Sequence, residues 1–265
     1  MKKNEIKGLW IPIVTPMYKG SYDSESMSKL IAFVDPYMDG YVPCLSTGEG
    51  AFLSDKLWEE VISDLRSKTK KPIIAGIKGR ELSEILKLAD KAKALGCQAI
   101  IVPAPSNNEE ESLNFFSKLA TKSSLPIMIY NTETAHFKTV EAIQKLDQIE
   151  NIISLKDSSM NIDFFQKMVG LRKAGSLHMT ILQGIEHKLL DSKGCDGFLT
   201  SLLNNEPELC KKMFESYPEK LQQQIMSEFW WQHNLGGEWF ITLKAMLYSK
   251  GILRSAEQVS QVVKL

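Results

Sequence analysis

The chain has 265 residues, 32 basic and 32 acidic side chains, and a hydrophobic fraction of 43%. This is the composition of an ordinary globular domain, and its neutral charge balance gives no reason to expect binding to nucleic acid or to an anionic membrane. The apolar run near the start is too short and too broken by proline for a signal peptide, and no run is long enough to span a bilayer. We therefore expect a cytoplasmic protein.

The four cysteines predict reduced, mostly buried thiols. They show neither a CxxC pair nor a metal-type spacing with histidine, and they are Cys44, Cys97, Cys195 and Cys210. No metal site is expected.

Short apolar runs alternate with amphipathic stretches of helical period along most of the chain. The runs lie at residues 8–14, 41–45, 72–77, 98–104, 126–130, 152–156, 178–184 and 196–200. Strands that alternate with helices predict a parallel sheet with helical crossovers, and this number of units fits a closed (β/α)8 TIM barrel. An open doubly wound sheet is the alternative. It is disfavoured because "IVTPM", rather than a Gly-rich dinucleotide loop, ends the first strand.

Residues that start and stop helices support the helical stretches. Ser24 and Ser54 are predicted N-caps, and Gly96 and Gly175 are predicted to end helices. The stretch "EHKLLDSKG" after the seventh strand predicts only a short helix. From about residue 205 the predicted strands stop, and four helical segments begin at "EPELC", "EKLQQ", "EWFIT" and "SAEQV". We predict a barrel domain over residues 1–215 and a helical extension packed on it over residues 216–265.

The sixth strand, "IISLK", ends on Lys156. In a barrel of this kind the active site lies at the carboxyl ends of the strands. Burial favours the neutral form of an amine, and a neutral lysine there could form a Schiff base with a ketone. The alternative is a lysine whose stem packs on the strands while its ammonium reaches water. Tyr130 ends the preceding strand, so it is either a proton-transfer group in the same mouth or a packed strand-end tyrosine.

A turn of small and polar residues, "STGE", follows the second strand. Its backbone amides and the hydroxyls of Ser46 and Thr47 could hold a carboxylate, although the same sequence also serves as a helix cap. His136 and His187 lie on other loops of the predicted active face. Either could act in acid–base chemistry near neutral pH, but an ordinary loop histidine is the favoured interpretation.

Taken together, these motifs resemble the family of dihydrodipicolinate synthase and N-acetylneuraminate lyase. These are (β/α)8 class I aldolases that bind pyruvate as a Schiff base. The resemblance covers most of the chain and follows the order "GLWIPIVTPM", "STGEGAFLSDKLWEEV", "LPIMIYN", "NIISLKDSS" and "LQGIEHKLLDSKGCDGF". It implies that Lys156 is the Schiff-base lysine, that Tyr130 passes protons beside it, and that Ser46 and Thr47 hold the carboxylate of the keto acid.

The "STGEGAF" motif resembles the lyase branch of that family more than the synthase branch. In the lyase branch, the positions that match Ser158, Gly184, Glu186 and Ser201 line the region for the hydroxylated tail of the substrate. The resemblance further implies pyruvate and an aldehyde as substrates and a homo-oligomer, either a dimer or a tetramer. It implies no cofactor, because the lysine imine is itself the electron sink.

Three departures from the family pattern matter for the reaction. The loop 103–108, "PAPSNN", lacks the tyrosine that usually reaches a neighbouring subunit's site and completes the proton relay. The loop 132–136, "TETAH", lacks both the usual proline and the arginine with which the synthase binds its dicarboxylic partner. Lys78 and Arg80 add positive charge after the third strand, either as a solvated loop or as a contact to an acidic substrate or a neighbouring subunit.

Three functional hypotheses follow. The leading one is a Schiff-base lyase for 2-oxo sugar acids of the N-acetylneuraminate lyase type. The second is dihydrodipicolinate synthase, which condenses pyruvate with aspartate semialdehyde and which the missing arginine disfavours. The third is a paralogue that binds keto acids without turning them over, suggested by the altered relay loop. The tail "SEFWWQHNLGGEWF", with three of the five tryptophans, predicts packing on the barrel wall or a subunit contact.

Overall fold

Eight parallel strands wind into a barrel in the computed structural model, which describes residues 1–77, 81–234 and 238–259. In chain order the strands, including a small hairpin formed by β2 and β3, are β1 (Gly8–Ile11), β2 (Met17–Tyr18), β3 (Ser21–Tyr22), β4 (Gly40–Tyr41), β5 (Ile74–Gly76), β6 (Ala99–Pro103), β7 (Ile127–Asn131), β8 (Ile152–Asp157), β9 (Thr180–Gln183) and β10 (Gly197–Phe198). The barrel order is β4-β1-β10-β9-β8-β7-β6-β5. A parallel bridge between Tyr41 and Ile73, with a 2.9 Å hydrogen bond from Gly76 N to Pro43 O, joins the two ends. The predicted TIM barrel is confirmed.

Several strands are shorter than the apolar runs that predicted them. β1 stops at Ile11, directly before Pro12, because proline has no N–H to donate to a strand ladder. β4 ends at Tyr41, two residues before Pro43, and the chain then enters the "STGE" turn. The apolar runs therefore locate the strands correctly but extend into the loops at their carboxyl ends.

Helices connect most of the barrel strands and then continue beyond them. They are α1 (Ser24–Val34), α2 (Asp55–Lys68), α3 (Leu82–Ala94), α4 (Glu109–Lys122), α5 (Val140–Asp147), α6 (Ile162–Lys173), α7 (Pro207–Ser216), α8 (Glu219–Asn234) and α9 (Trp239–Ser249). The stretch after β9 forms two 3₁₀ turns, Glu186–Lys188 and Leu190–Ser192, instead of the predicted short helix. None of the described helices is long and apolar enough to cross a membrane.

The helix ends test the predicted caps. The Ser54 hydroxyl accepts a hydrogen bond from Leu57 N at 3.2 Å, and Gly96 and Gly175 adopt positive φ after α3 and α6, so these three predictions are confirmed. The Ser24 prediction is wrong. The residue before it, Asp23, caps α1 because its carboxylate accepts from Ser26 N and is itself held by an ion pair with Arg254.

Two apolar layers form the core. Alternation along each strand sends one set of side chains into the barrel and the other set toward the helices. In β6, Ile101 belongs to the interior layer, whereas Ile100 and Val102 pack under the helices. The four cysteines are buried and unpaired, as expected, and burial raises the pKa of Cys195 to about 11 and that of Cys97 to about 12.

The C-terminal helices pack beside loops at the carboxyl ends of the strands. α8 contacts the Glu186–Lys188 turn and α9 contacts the 3₁₀ turn Ser201–Asn204. Of the predicted fourth helical segment, residues 255–258 are not helical, Val259 is assigned to a helix, and residues 260–265 lie outside the described residues. Lys244 of α9 donates to the Glu257 carbonyl, and Glu49 of the turn after β4 accepts from the Val259 N–H. The domain boundary at residue 215 falls one residue before the end of α7 and stays a prediction.

Candidate active site

The predicted lysine and tyrosine lie side by side at the carboxyl ends of neighbouring strands. Tyr130 of β7 pairs with Lys156 of β8 in the parallel register, and the Lys156 Nζ atom lies 4.2 Å from the centre of the Tyr130 ring. Both residues are buried: Lys156 is 5% exposed and Tyr130 is 8% exposed. The structure therefore brings together the two residues that the sequence placed at the same mouth.

A backbone irregularity produces this alignment. Ile127 pairs with Ile152, but the next residue, Met128, pairs with Ser154, so Ile153 is an extra residue in β8. Paired residues on parallel strands share a face, and a slip by one residue sends every side chain to the other face. Without this bulge, Tyr130 would pair with Leu155. The bulge is what places Lys156 on the interior face beside the phenol ring.

The stem of Lys156 is tightly packed. A Cβ atom on Gly184 would lie 2.6 Å from Lys156 Cε and 2.2 Å from Ser158 Oγ, so only glycine fits against the lysine stem. None of the ion pairs between described residues involves Lys156. No described carboxylate thus pairs directly with the amine.

On the opposite face of the same strands a polar pair braces β7 against β8. Asn131 Nδ2 donates to Asp157 Oδ1 at 3.1 Å, and Ser159 Oγ donates to Asp157 Oδ2 at 3.1 Å. Asn131 is fully buried and accepts a hydrogen bond from Phe137 N at 3.2 Å. Burial raises the pKa of Asp157 to about 6, although these hydrogen bonds and the nearby charge of His136 oppose the rise.

The "STGE" motif forms a tight turn at the end of the short strand β4. Glu49 N donates to Ser46 O at 3.0 Å, and Gly48 lies so close to the backbone that a Cβ there would be 2.9 Å from Ile13 O. Thr47 is buried and Ser46 is half-buried. Neither the Thr47 nor the Gly48 backbone N–H donates a hydrogen bond to another described residue. Two adjacent amides and two hydroxyls are the donors that a carboxylate requires.

A second polar group lies after β9 and β10. Glu186 Oε1 accepts hydrogen bonds from Ser201 Oγ at 2.6 Å and from Leu202 N at 3.1 Å, which fixes the carboxylate in place. Ser158 lies directly after β8, and its Oγ atom is buried and has no hydrogen-bond partner among the described residues. A buried hydroxyl without a partner is a ready site for a polar ligand atom.

The loops that depart from the family pattern pack against each other. Asn107 Nδ2 donates to Thr134 O at 2.6 Å, and Asn107 Oδ1 accepts from His136 N at 3.3 Å. The His136 Nδ1 atom lies 3.0 Å from Thr132 O, so this ring nitrogen carries the proton and donates to the carbonyl. His187 is half-buried in the turn after β9. The predicted charges at Lys78 and Arg80 lie outside the described residues.

Two contacts from the C-terminal helix were missed by the sequence prediction. Trp239 Nε1 donates to Thr47 Oγ1 at 3.4 Å, and Lys244 forms an ion pair with Glu49 in which both side chains are fully buried. Burial lowers the pKa of the Lys244 ammonium, against the raising effect of the Glu49 carboxylate. The sequence predicted that the segment with Trp239 packs on the barrel wall or forms a subunit contact and that the extension with Lys244 packs on the barrel. Neither partner was predicted, because no local pattern marks a contact across almost two hundred positions. Within the described ranges, no group of three His, Cys, Asp or Glu residues could hold a metal ion.

The fold is that of a (β/α)8 barrel enzyme with its polar site at the carboxyl ends of the strands. The chain belongs to the dihydrodipicolinate synthetase family, whose model matches residues 5–257. Members of this family are Schiff-base-forming lyases and aldolases, and the protein is an enzyme of that class.

Individual relatives span more than one reaction. The 4-hydroxy-tetrahydrodipicolinate synthase of Archaeoglobus fulgidus is 26% identical over 221 residues, which is 80% of this chain and 75% of that protein. The dihydrodipicolinate synthase structure from Bacteroides thetaiotaomicron has a TM-score of 0.88 at 23% identity and covers 98% of this chain and 97% of its own. A 2-keto 3-deoxygluconate aldolase from Picrophilus torridus has a TM-score of 0.80 at 20% identity, with 93% and 94% covered. At such identities the structural likeness shows the fold alone.

Proposed function

We propose that the protein cleaves or forms a 2-oxo acid through an imine between Lys156 and pyruvate, as a sugar-acid lyase of the N-acetylneuraminate lyase type. The observation that carries the proposal is the buried Lys156 amine, 4.2 Å from the Tyr130 ring and without a carboxylate partner among the described residues. A lysine in such surroundings is available as a nucleophile rather than as half of a salt bridge.

The chemistry assigns a step to each group. The Lys156 amine attacks the C2 ketone of the substrate, and loss of water gives a protonated imine. Tyr130 takes the proton of the C4 hydroxyl while the C3–C4 bond breaks, the aldehyde leaves, and the electron pair moves into the imine to form an enamine. Protonation of the enamine at C3 and hydrolysis then release pyruvate and free the lysine. In the direction of synthesis the same steps run in reverse.

The remaining polar groups bind the ends of the substrate. The Ser46–Glu49 turn holds the carboxylate of the keto acid, and the Thr47 and Gly48 amides, which donate to no other described residue, support this role. The unpartnered Ser158 hydroxyl and the Glu186–Ser201 pair contact the hydroxyl groups of the aldehyde portion. These groups favour a hydroxylated partner, because an acceptor carboxylate and neutral hydroxyls match sugar hydroxyls better than they match a second carboxylate.

A second reaction is supported by the curated relatives, which include 4-hydroxy-tetrahydrodipicolinate synthases at 26–32% identity. In that reaction the partner is aspartate semialdehyde. The loop Thr132–His136, which lacks the expected arginine, disfavours it. A keto-acid-binding protein without turnover is the third candidate, favoured only by the absence of a tyrosine from residues 103–108.

The test is reductive trapping followed by a substrate panel. Borohydride in the presence of pyruvate is expected to add a reduced pyruvyl group to Lys156, which peptide mass spectrometry would locate. Lys156→Arg should abolish the adduct, whereas Lys138→Arg, an exposed lysine, should leave it unchanged. Failure of the folded wild-type protein to form an adduct would refute the imine mechanism.

Turnover separates the three candidates. Release of pyruvate from 2-oxo-3-deoxy sugar acids supports the lyase, and condensation of pyruvate with aspartate semialdehyde supports the synthase. Labelling of Lys156 without turnover of either class supports the binding protein. A cytoplasmic location and a dimeric or tetrameric state also stay predictions. Light scattering of the purified protein would measure its oligomeric state.

A further inference from the structure

The C-terminal helix α9 reaches the Ser46–Glu49 turn at its first residue. Trp239 is half-buried and donates its indole N–H to Thr47 Oγ1 at 3.4 Å, while Thr47 itself is only 5% exposed. The two residues are 192 positions apart in the chain. This hydrogen bond joins the helical extension directly to one of the two hydroxyls at the proposed carboxylate site.

A second set of contacts holds the end of the same turn. Lys244 of α9 pairs with Glu49 and donates to Glu257 O at 2.9 Å, and Glu49 Oε2 accepts from Val259 N at 2.8 Å. Glu49 has a φ of +58°, a left-handed conformation that is uncommon for a residue other than glycine. The Lys244–Glu49 ion pair and the Val259 N–H therefore hold Glu49 in this conformation. Helix α9 contacts the turn at two points, Thr47 and Glu49.

The hydrogen-bonding capacity of the groups gives the Trp239 contact a direction. An indole N–H is a donor only, whereas a threonine hydroxyl has one proton and two lone pairs. When Trp239 occupies one lone pair of Thr47 Oγ1, the Thr47 proton must point away from the indole. A carboxylate bound at the turn can only accept, so a hydroxyl oriented in this way is prepared to donate to it.

We propose that Trp239 is a positioning residue for the bound keto acid, which acts by orienting the Thr47 hydroxyl as a donor to the substrate carboxylate. This inference rests on the proposed function and deepens it, since it assigns to the C-terminal helix a part in recognising the 2-oxo acid. Trp239 does not act on the reacting C2 and C3 atoms. Its loss should therefore weaken binding of the keto acid and leave the formation of the imine at saturation unchanged.

The test measures how Lys156 labelling by borohydride depends on the pyruvate concentration. Trp239→Phe keeps an aromatic ring but removes the pyrrole part of the indole and its N–H. It is expected to raise the half-saturating pyruvate concentration about five- to tenfold, as for the loss of one neutral hydrogen bond, with the maximal labelling unchanged. Trp230→Phe, which changes a more exposed indole on α8, is the matched control and should behave as the wild type.

A double-mutant cycle shows whether the effect passes through Thr47. Thr47→Val should raise the half-saturating concentration on its own, Thr47→Ser should not, and adding Trp239→Phe to Thr47→Val should have no further effect. Additive effects in the cycle, or an unchanged half-saturating concentration in a folded Trp239→Phe, would overturn the proposal. If Trp239→Phe does not fold, the comparison of Thr47→Ser with Thr47→Val still tests the role of the oriented hydroxyl. An equal rise of the half-saturating pyruvate concentration in these two variants would also overturn the proposal.

The wild-type reaction distinguishes this proposal from the function on which it rests. If the wild type is labelled at Lys156 but Trp239→Phe shows an unchanged half-saturating pyruvate concentration, only the positioning role of Trp239 is refuted. Absence of wild-type labelling removes the imine mechanism and this proposal together.

Discussion

Replacement of Asp157 by asparagine should stabilise the folded protein at neutral pH. Asp157 is 2% exposed, and burial raises the pKa of its carboxyl to about 6 from an ordinary value of 3.8. Its two partners, Asn131 and Ser159, are neutral and both donate to it. An asparagine can accept from Asn131 through its oxygen and donate to the Ser159 hydroxyl, so the neutral amide fits the same site without a charge to bury.

The magnitude follows from the difference in pKa between the two states. As the pH rises from about 4, the unfolded chain loses the Asp157 proton first, while the folded protein keeps it until about pH 6. The unfolded state binds fewer protons in this window, so the free energy of unfolding falls as the pH rises. The cost is about 1.5 kcal/mol at pH 5 and reaches a plateau of about 3 kcal/mol above pH 7. Asp157→Asn removes this cost.

Urea denaturation of the wild type and the variant between pH 5 and pH 8, at one protein concentration, measures the difference. Asp157→Asn is expected to be more stable at every pH, with a gain that grows from about 1.5 to about 3 kcal/mol. Asp191→Asn, which changes an exposed carboxylate, should alter the stability by less than about 0.5 kcal/mol at any pH. A gain that does not depend on pH, or a loss of stability at pH 8, would refute the reasoning.

Three further predictions concern the site and the core. Gly184→Ala places a Cβ where it would lie 2.6 Å from Lys156 Cε, so it should reduce labelling of Lys156 by pyruvate at least about tenfold. Gly170→Ala is the control, because its Cβ would meet nothing within 4 Å and labelling should not change. Equal labelling of the two variants would contradict the close approach of Gly184 to Lys156. Lys244→Met leaves the buried Glu49 carboxylate unpaired and should cost about 3–5 kcal/mol in urea denaturation, part of which Glu49→Gln in the same chain should recover. The buried cysteine thiols should not react with a thiol reagent until the protein unfolds, when all four should titrate, and rapid reaction of the native protein would exclude their burial.

The architecture could be predicted from the sequence because it follows from periodicity. Apolar strands and amphipathic helices alternate along the chain, and a parallel barrel is the arrangement that buries both. The presence of Lys156 and Tyr130 at one mouth could also be predicted, since each lies near the carboxyl end of a strand and consecutive strands of a barrel are neighbours, but their exact pairing depends on the bulge at Ile153. The "STGE" turn was found by its composition, which is unusual directly after an apolar run.

The rest depended on contacts that no local pattern reveals. Nothing in the local sequence distinguishes Trp239 and Lys244 from ordinary helix residues, and their partners, Thr47 and Glu49, lie in the first fifth of the chain. Asp23, rather than Ser24, caps α1 because Arg254 reaches it from the C-terminal region. The 3₁₀ turns after β9 carry Glu186, whose carboxylate is fixed by Ser201 and Leu202 from the loop after β10. In each case a long-range partner decides between local alternatives of similar free energy.

The extra residue Ile153 has a consequence for anyone who would redesign this barrel. The position of the Lys156 amine depends on a backbone irregularity as well as on the identity of the residue. If β8 were straightened into a regular strand with all of its residues retained, Leu155 would pair with Tyr130 and Lys156 would turn toward the helix layer. Deletion of Ile153 would also remove the bulge, but it would keep Lys156 opposite Tyr130. A design that straightens β8 must therefore also remove Ile153 if Lys156 is to face the barrel interior, and a transfer of this strand into another barrel must keep either the bulge or the shortened sequence.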